Sequence, residues 1–322
     1  MYLITGANGF IGSVLVGYLN ARGITDLILV DDFVHYPDKT PNLEEKDYLV
    51  KVERTTLFPI WDQEQWPLRG VYHLGARTDT TETDEVLFRE LNLDYSKQIW
   101  ERCAMLNIPL VYASSAATYG DGDRGFSDET AAVDLDPLNA YGRSKNDFDA
   151  WAVTYPTAPP HWYGLKFFNV YGPNEYHKGR MASVVWHTFR QVKATEGMKL
   201  FRSHRDDVAD GQQSRDFIYV MDVCRVCHWL METQPDDNGI YNLGTGRARA
   251  FRDLAEATFR AMEREPRITY IDTPADLREK YQYFTEADIG KLRRAGYDEP
   301  FTSLEDGVSD YVRNFLRPGA YY

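Results

Sequence analysis

The sequence predicts an α/β fold: a doubly wound parallel sheet holding most of the chain, and a smaller domain built from separated segments. Three observations carry this. Short apolar runs alternate with amphipathic stretches through the first half. The first run leads directly into a glycine-rich turn, Thr5-Gly6-Ala7-Asn8-Gly9-Phe10-Ile11-Gly12. After Phe168 the alternation gives way to irregular polar segments, then resumes in short strands.

Each element has its own signal. Tyr2–Thr5 is apolar and precedes the glycine turn; Ser13–Leu19 behind it is amphipathic. Strand, glycine turn and helix in that order form a Rossmann-like unit, in which the backbone approaches a pyrophosphate at a helix N-terminus. Leu27–Asp31 reads as the next strand and ends on an acid, where a dinucleotide site holds a ribose. Val71–Leu74, Leu110–Ala113 and Tyr163–Phe168 read as further strands, separated by helices near Asp84–Leu106 and over Ala140–Thr154. Beyond them, Asn169–Gly179 is loop-like and Met181–Thr195 helical. Phe217–Val220 and Ile240–Leu243 read as strands returning to the main sheet, with helices over Asp222–Met231 and Arg252–Glu263. The polar stretch Arg202–Gln213 is the candidate for a mobile loop. The dinucleotide-binding domain is therefore expected over residues 1–168 plus about 217–248 and 296–310. The substrate-binding domain takes about 169–216, 249–295 and 311–322.

Composition narrows the function. Thirty-six basic against 49 acidic residues give a net charge of −13, which argues against nucleic acid or an anionic membrane as partner. No signal peptide and no apolar run of membrane-spanning length is recognised, and the three cysteines suit a reducing, cytoplasmic compartment. Cys224 and Cys227 lie one helical turn apart with no second pair at zinc spacing, so they read as buried thiols and no metal is expected.

The chemistry-bearing residues follow the later strands. Ser115 ends the run after Leu110, and Tyr141-Gly-Arg-Ser-Lys145 opens the next helix. Tyr141 and Lys145 share a helix face. An ammonium beside a phenol favours the phenolate, and a serine hydroxyl can bind the same substrate oxygen. Such a set moves a proton while a nicotinamide moves a hydride. Asp31 and Asp32 favour a free ribose 2′-hydroxyl, hence NAD.

With Gly6-x-x-Gly9-x-x-Gly12, Ser115 and Tyr141-x-x-x-Lys145, the chain resembles the extended short-chain dehydrogenase/reductase superfamily. Phe168-Asn-Val-Tyr-Gly-Pro173, His177-Lys-Gly179, Met181-Ala-Ser-Val184, Tyr241-Asn-Leu-Gly-Thr-Gly246 and Tyr281-Gln282 narrow the likeness to the ADP-L-glycero-D-manno-heptose 6-epimerase family, over nearly the whole chain. That resemblance implies an isomerase inverting C6 of an ADP-heptose for the lipopolysaccharide core, by transient oxidation and re-reduction. It implies a homo-oligomer, a pentamer, and makes Tyr141 and Lys178 the acid/base groups for the two faces. It implies NADP, with NAD the alternative and Lys39 and Arg54 as its cations. It also brings Phe10, Ile11, Leu74, Gly75, Ala76, Arg77, Asn92 and Val170 to the cofactor. Asn169, Arg180, His187, Phe201, Arg202, Ser203, His204, Arg215 and Tyr281 fall at substrate positions; Arg215 suits a diphosphate.

Three departures leave the sugar and nucleotide open. Arg180 replaces a small hydroxyl residue. Leu74-Gly-Ala-Arg77-Thr78 replaces a Glu-Gly-Ala-Cys-Ser pattern, and Arg202-Ser203-His204 replaces Glu-Gly-Ser. Another nucleotide-sugar epimerase or reductase of the superfamily is the alternative. Ala116-Ala117 argues against the dehydratases, which carry an Asp-Glu pair there, and the intact Tyr-Lys pair argues against a dinucleotide sensor.

Overall fold

The computed structural model describes residues 1–274 and 282–322. In chain order the strands and main helices are β1 (Tyr2–Thr5), α1 (Phe10–Asn20), β2 (Leu27–Asp31), β3 (Val50–Glu53), α2 (Leu57–Glu64) and β4 (Gly70–His73). Then comes α3, a single run of three parts: Glu85–Phe88, a π-helical Arg89–Asp94 and Tyr95–Met105. It is followed by β5 (Leu110–Ser115), α4 (Ala140–Thr154), β6 (Trp162–Phe167), β7 (Asn169–Tyr171), α5 (Val184–Thr195), β8 (Met198–Phe201) and β9 (Ser214–Tyr219). The last are α6 (Val220–Thr233), β10 (Gly239–Leu243), β11 (Ala248–Ala250), α7 (Phe251–Ala261), β12 (Ile268–Ile271), α8 (Gly290–Arg294) and α9 (Leu304–Asp310).

The main sheet runs β10-β6-β5-β4-β1-β2-β3, with every neighbour parallel. Strand order reverses between β1 and β4, so the crevice beyond their carboxyl ends is where a ligand can enter. Both faces of this sheet are covered, which is why its strands read as nearly continuous apolar runs. Ile4, Tyr72, Val111 and Leu165 pack on one face with Val14, Val223 and Leu230. Leu3, Val71, Leu110 and Tyr112 pack on the other with Trp100 and Phe148. Burying a side chain of this kind is worth about 1.5–3 kcal/mol.

One strand departs from expectation. Phe217–Val220 does not return to the main sheet. The free edge of β6 is taken by β10, with Leu165 opposite Tyr241. The Phe217 segment, as β9, instead pairs with β7 (Asn169 opposite Phe217) and antiparallel with β11. A two-stranded parallel pair, β8 with β12, completes the smaller sheets. The helix expected near Asp84–Leu106 forms, but with its π segment at 89–94. Such segments recur at functional sites.

Among the described residues no helix is long and apolar enough to cross a membrane. Cys224 and Cys227 lie buried on α6, and burial pushes both thiols up.

Candidate active site

The glycine turn is dictated by contact. Gly6 has φ +68°, and a Cβ there would meet Gly75 backbone at 2.7 Å. A Cβ on Gly12 would strike the Gly6 carbonyl. The turn is tied to the switch point by Gly75 N–H donating to Thr5 Oγ1 at 3.1 Å, while Thr5 Oγ1 lies 2.6 Å from His73 Nδ1. The α1 N-terminus has no side-chain cap, and Gly9, Phe10, Ile11 and Gly12 line a cavity of about 380 Å³. A flat dinucleotide needs such a cradle without Cβ atoms beside free helix donors, so these residues fit one.

Asp31, Asp32, Lys39, Arg54, Leu74, Gly75, Ala76, Arg77 and Lys178 line the same cavity. Asp31 accepts from the Asn8 and Asp32 N–H groups, each at 2.8 Å. Each aspartate has a cation: Lys39 Nζ is 3.9 Å from Asp31 Oδ1, and Arg54 Nη2 is 3.4 Å from Asp32 Oδ2. Tyr36, Tyr95, His177 and Met181 also line the cavity, though nothing in the sequence by itself places them there. Their one signal is adjacency: Tyr36 lies in the loop holding Lys39, whose ammonium is 4.3 Å from the ring centre. His177 and Met181 flank Lys178.

The hydroxyl chemistry sits beside this cavity rather than in its wall. Ser115 ends β5, and its Oγ accepts from Ala117 N–H at 3.1 Å. Asn139 caps α4 by accepting from Gly142 N–H at 2.8 Å, which fixes the turn carrying Tyr141. Burial raises the Tyr141 phenol; its hydrogen bond with Ser115 opposes that and Asp149 adds to it. Lys145 is buried, donates to Ala113 O at 3.0 Å, and is pushed down to about 8 by burial, with Asp149 opposing. Asn92 lies in the π segment. Its Oδ1 accepts from Arg77 N–H at 2.8 Å, and its amide donates to Ser144 Oγ at 2.9 Å. It therefore ties the loop after β4 to the Tyr141 helix rather than lining the cavity. Val170, central in β7, also lies outside the cavity wall.

Lys178 lies on the 3₁₀ segment Tyr176–Met181, its ammonium 5.5 Å from the Phe10 ring centre. Burial pushes it down; Glu175 pulls it back up and Lys39 adds to the depression. Glu175 is itself buried, accepting from Ser183 N–H and Oγ at 2.6 Å each.

The residues expected at substrate positions are spread over the smaller sheets, the 3₁₀ segment Tyr176–Met181, α5 and the loop after β8. Arg180 is exposed and lies 3.4 Å from Asp79; His187 Nε2 lies 3.4 Å from Arg180 O. Phe201 ends β8, Asn169 begins β7 and Arg215 is in β9. Arg202 pairs with Asp210 and Asp272 at 3.4 and 3.3 Å, and Ser203 N–H donates to Asp210 at 2.8 Å. His204 Nε2 accepts from Thr273 N–H at 3.2 Å. Arg215 is buried and donates to the Ser214 and Gln282 carbonyls. Tyr281 lies outside the described residues. Among those described, no three His, Cys, Asp or Glu side chains gather as metal ligands.

Residues 2–244 match the NAD dependent epimerase/dehydratase family. The chain is similar to the ADP-L-glycero-D-manno-heptose-6-epimerase of Nitratidesulfovibrio vulgaris, at 49% identity over 319 residues covering 98% of each chain. The enzyme of that name from Fusobacterium nucleatum is 44% identical over 327 residues, again 98% of each. Among solved structures, the Helicobacter pylori ADP-L-glycero-D-manno-heptose-6-epimerase superposes with TM-score 0.80 at 25% identity, covering 97% of this chain and 95% of that one.

Proposed function

The chain belongs to the NAD dependent epimerase/dehydratase family, and on that premise we propose that it inverts C6 of the heptose in ADP-glycero-manno-heptose. The observation carrying this reading is Lys178: a second proton-handling group, half-buried beside Phe10 in the cofactor cavity and separate from the Ser115–Tyr141 pair. A simple reductase needs one such group; inversion through a planar ketone needs one for each face.

A nicotinamide cofactor, held by the glycine turn, Asp31 and the cavity wall, supplies hydride removal and return when bound. The remaining chemistry belongs to the chain. Ser115 holds the C6 oxygen by a hydrogen bond. Tyr141 takes the hydroxyl proton as C6 is oxidised and returns one for that face; Lys178 does the same from the other. Burial lowers the hold of Lys178 on its proton, with Glu175 opposing and Lys39 adding to the effect, which suits it to give up and take back a proton. Arg215 binds the diphosphate, and Asn169, Arg180, His187, Phe201, Arg202, Ser203, His204 and Tyr281 shape the sugar and nucleotide site.

The preferred cofactor is NADP, because Lys39 and Arg54 bring two cations to the two aspartates that would otherwise repel a 2′-phosphate. The enzyme works in the cytoplasm as a homo-oligomer, and its product serves lipopolysaccharide core assembly. The direct test supplies the purified protein and NADP with ADP-D-glycero-D-manno-heptose, and separately with ADP- and UDP-hexoses. The reading predicts conversion of the heptose alone to its L-glycero isomer. Turnover of a hexose at C4, with the heptose untouched, would replace it by the 4-epimerase alternative.

A further inference from the structure

Beneath Ser115 and Tyr141 lies a buried charge cluster that the chemistry above does not use. Asp149, two turns along α4 from Tyr141, is fully buried. Its Oδ2 accepts from Ser114 Oγ at 2.6 Å and its Oδ1 from the Tyr112 hydroxyl at 3.1 Å. Lys166 on β6 is 1% exposed and sets its ammonium 3.6 Å from Asp149 Oδ2. Sheet register explains the meeting. Ser114 pairs with Lys166 across β5 and β6, so Tyr112, Ser114 and Lys166 share one face of the sheet, where they meet Asp149 of α4.

Lys166 also reaches the catalytic turn. Its Nζ donates to Thr118 Oγ1 at 2.7 Å, and Thr118 Oγ1 donates to the Ser115 carbonyl at 2.8 Å. Lys145, one turn before Asp149 on α4, is 3% exposed and donates to a carbonyl instead of pairing at short range. One buried carboxylate thus faces two buried ammonium groups. Burial pushes the Asp149 carboxyl up, and of the two ammonium groups Lys166 opposes that more than Lys145 does. The surrounding titratable groups do not alter this balance. His73 on β4 is buried and held neutral, with its value pushed down to about 3; Tyr112 and Tyr119 are phenols pushed up by burial. Asp128 faces Lys166 but also has Lys291 beside it.

We propose that Lys166 is a positioning residue for this site: it offsets the Asp149 charge that opposes a Tyr141 phenolate, and through Thr118 it fixes the turn presenting Ser115. The proposal rests on Tyr141 being the proton-transfer group. Its consequence is a pair of opposite shifts. Without the Lys166 charge, Asp149 is less compensated and opposes the Tyr141 phenolate more strongly. Without the Asp149 charge, that opposition is gone and the phenolate is favoured.

Lys166→Met should therefore raise the ionisation of Tyr141 by about one pH unit, and Asp149→Asn should lower it by about as much. Lys166→Met/Asp149→Asn, which removes the pair together and restores the native net charge, should return it to within about half a unit of the native value. The readout is near-ultraviolet difference titration of each protein against its own Tyr141→Phe counterpart, with the kcat/KM–pH profile as second measure. If Lys166→Met does not fold, Asp149→Asn and the double variant still decide. Shifts in one direction, or none, overturn the proposal. An inactive Tyr141→Phe with unmoved ionisation removes Lys166 alone; an active Tyr141→Phe removes the Tyr141 assignment itself.

Discussion

Replacing Lys39 by alanine should separate the two nicotinamide cofactors. Lys39 Nζ lies 3.9 Å from Asp31 Oδ1, and the Lys39 side chain is 19% exposed in the cavity wall. A 2′-phosphate entering beside Asp31 meets a carboxylate whose repulsion, at about 4 Å and an effective dielectric near 20, is roughly 4 kcal/mol. Lys39 offsets that term. Solvent and salt screen it, so removing Lys39 is expected to weaken NADP by about 1.4–2.8 kcal/mol, or about 10- to 100-fold. NAD has no 2′-phosphate, and Asp31 remains free to accept from its ribose, so its affinity should change less than about threefold. Cofactor titration by tryptophan fluorescence or calorimetry measures both, and the NADP penalty should shrink as salt rises. An equal loss for the two cofactors, or native binding of NAD tenfold tighter than NADP, would refute the argument and leave the aspartates in control.

Other consequences follow from the same contacts. Gly12→Ala drives a Cβ into the Gly6 carbonyl, so cofactor binding should fall at least tenfold while α1 still forms; equilibrium dialysis and circular dichroism check both. His73, held between Thr5 Oγ1 and Ser96 Oγ, stays neutral down to about pH 3 against 6.5 when unfolded. The unfolded state binds the extra proton first, so this contribution is intact above pH 6.5 and lost as pH falls towards 3. His73→Gln should flatten the stability–pH slope there by up to about 1.4 kcal/mol per unit, measured by urea unfolding at several pH values. Asn92→Ala should leave cofactor affinity within about threefold but lower kcat about tenfold or more, because it frees the loop after β4 from the Tyr141 helix.

Much of this was legible in the sequence because the informative signals are local. β1, the glycine turn, β2 and α4 are each set by a contiguous apolar or capping pattern, and α4 runs over the expected Ala140–Thr154. β3 was missed because Val50-Lys51-Val52-Glu53 is a four-residue edge strand with two exposed residues, too short to show a period. β8 and β12 are far apart in the chain, with Met198 opposite Ile268, and no local pattern announces a partner that distant. The apolar run of β9 specifies that it is buried but not against what, so the sequence alone points to the main sheet, whereas the strand in fact pairs with β7 and β11. At the site, glycines, aspartates and the Tyr-Lys pair declare themselves by type and spacing. Tyr95, with no such neighbour in sequence, reaches the cavity only through the folding of a separate segment.

The central claim is that C6 itself is oxidised and then re-reduced on its other face. ADP-heptose carrying deuterium at C6 tests it directly, with product analysed by mass spectrometry and NMR. The account predicts an inverted product that keeps its deuterium, and loss of that inversion in Lys178→Met while cofactor binding persists. Loss of the label to water, or normal inversion by Lys178→Met, would contradict it.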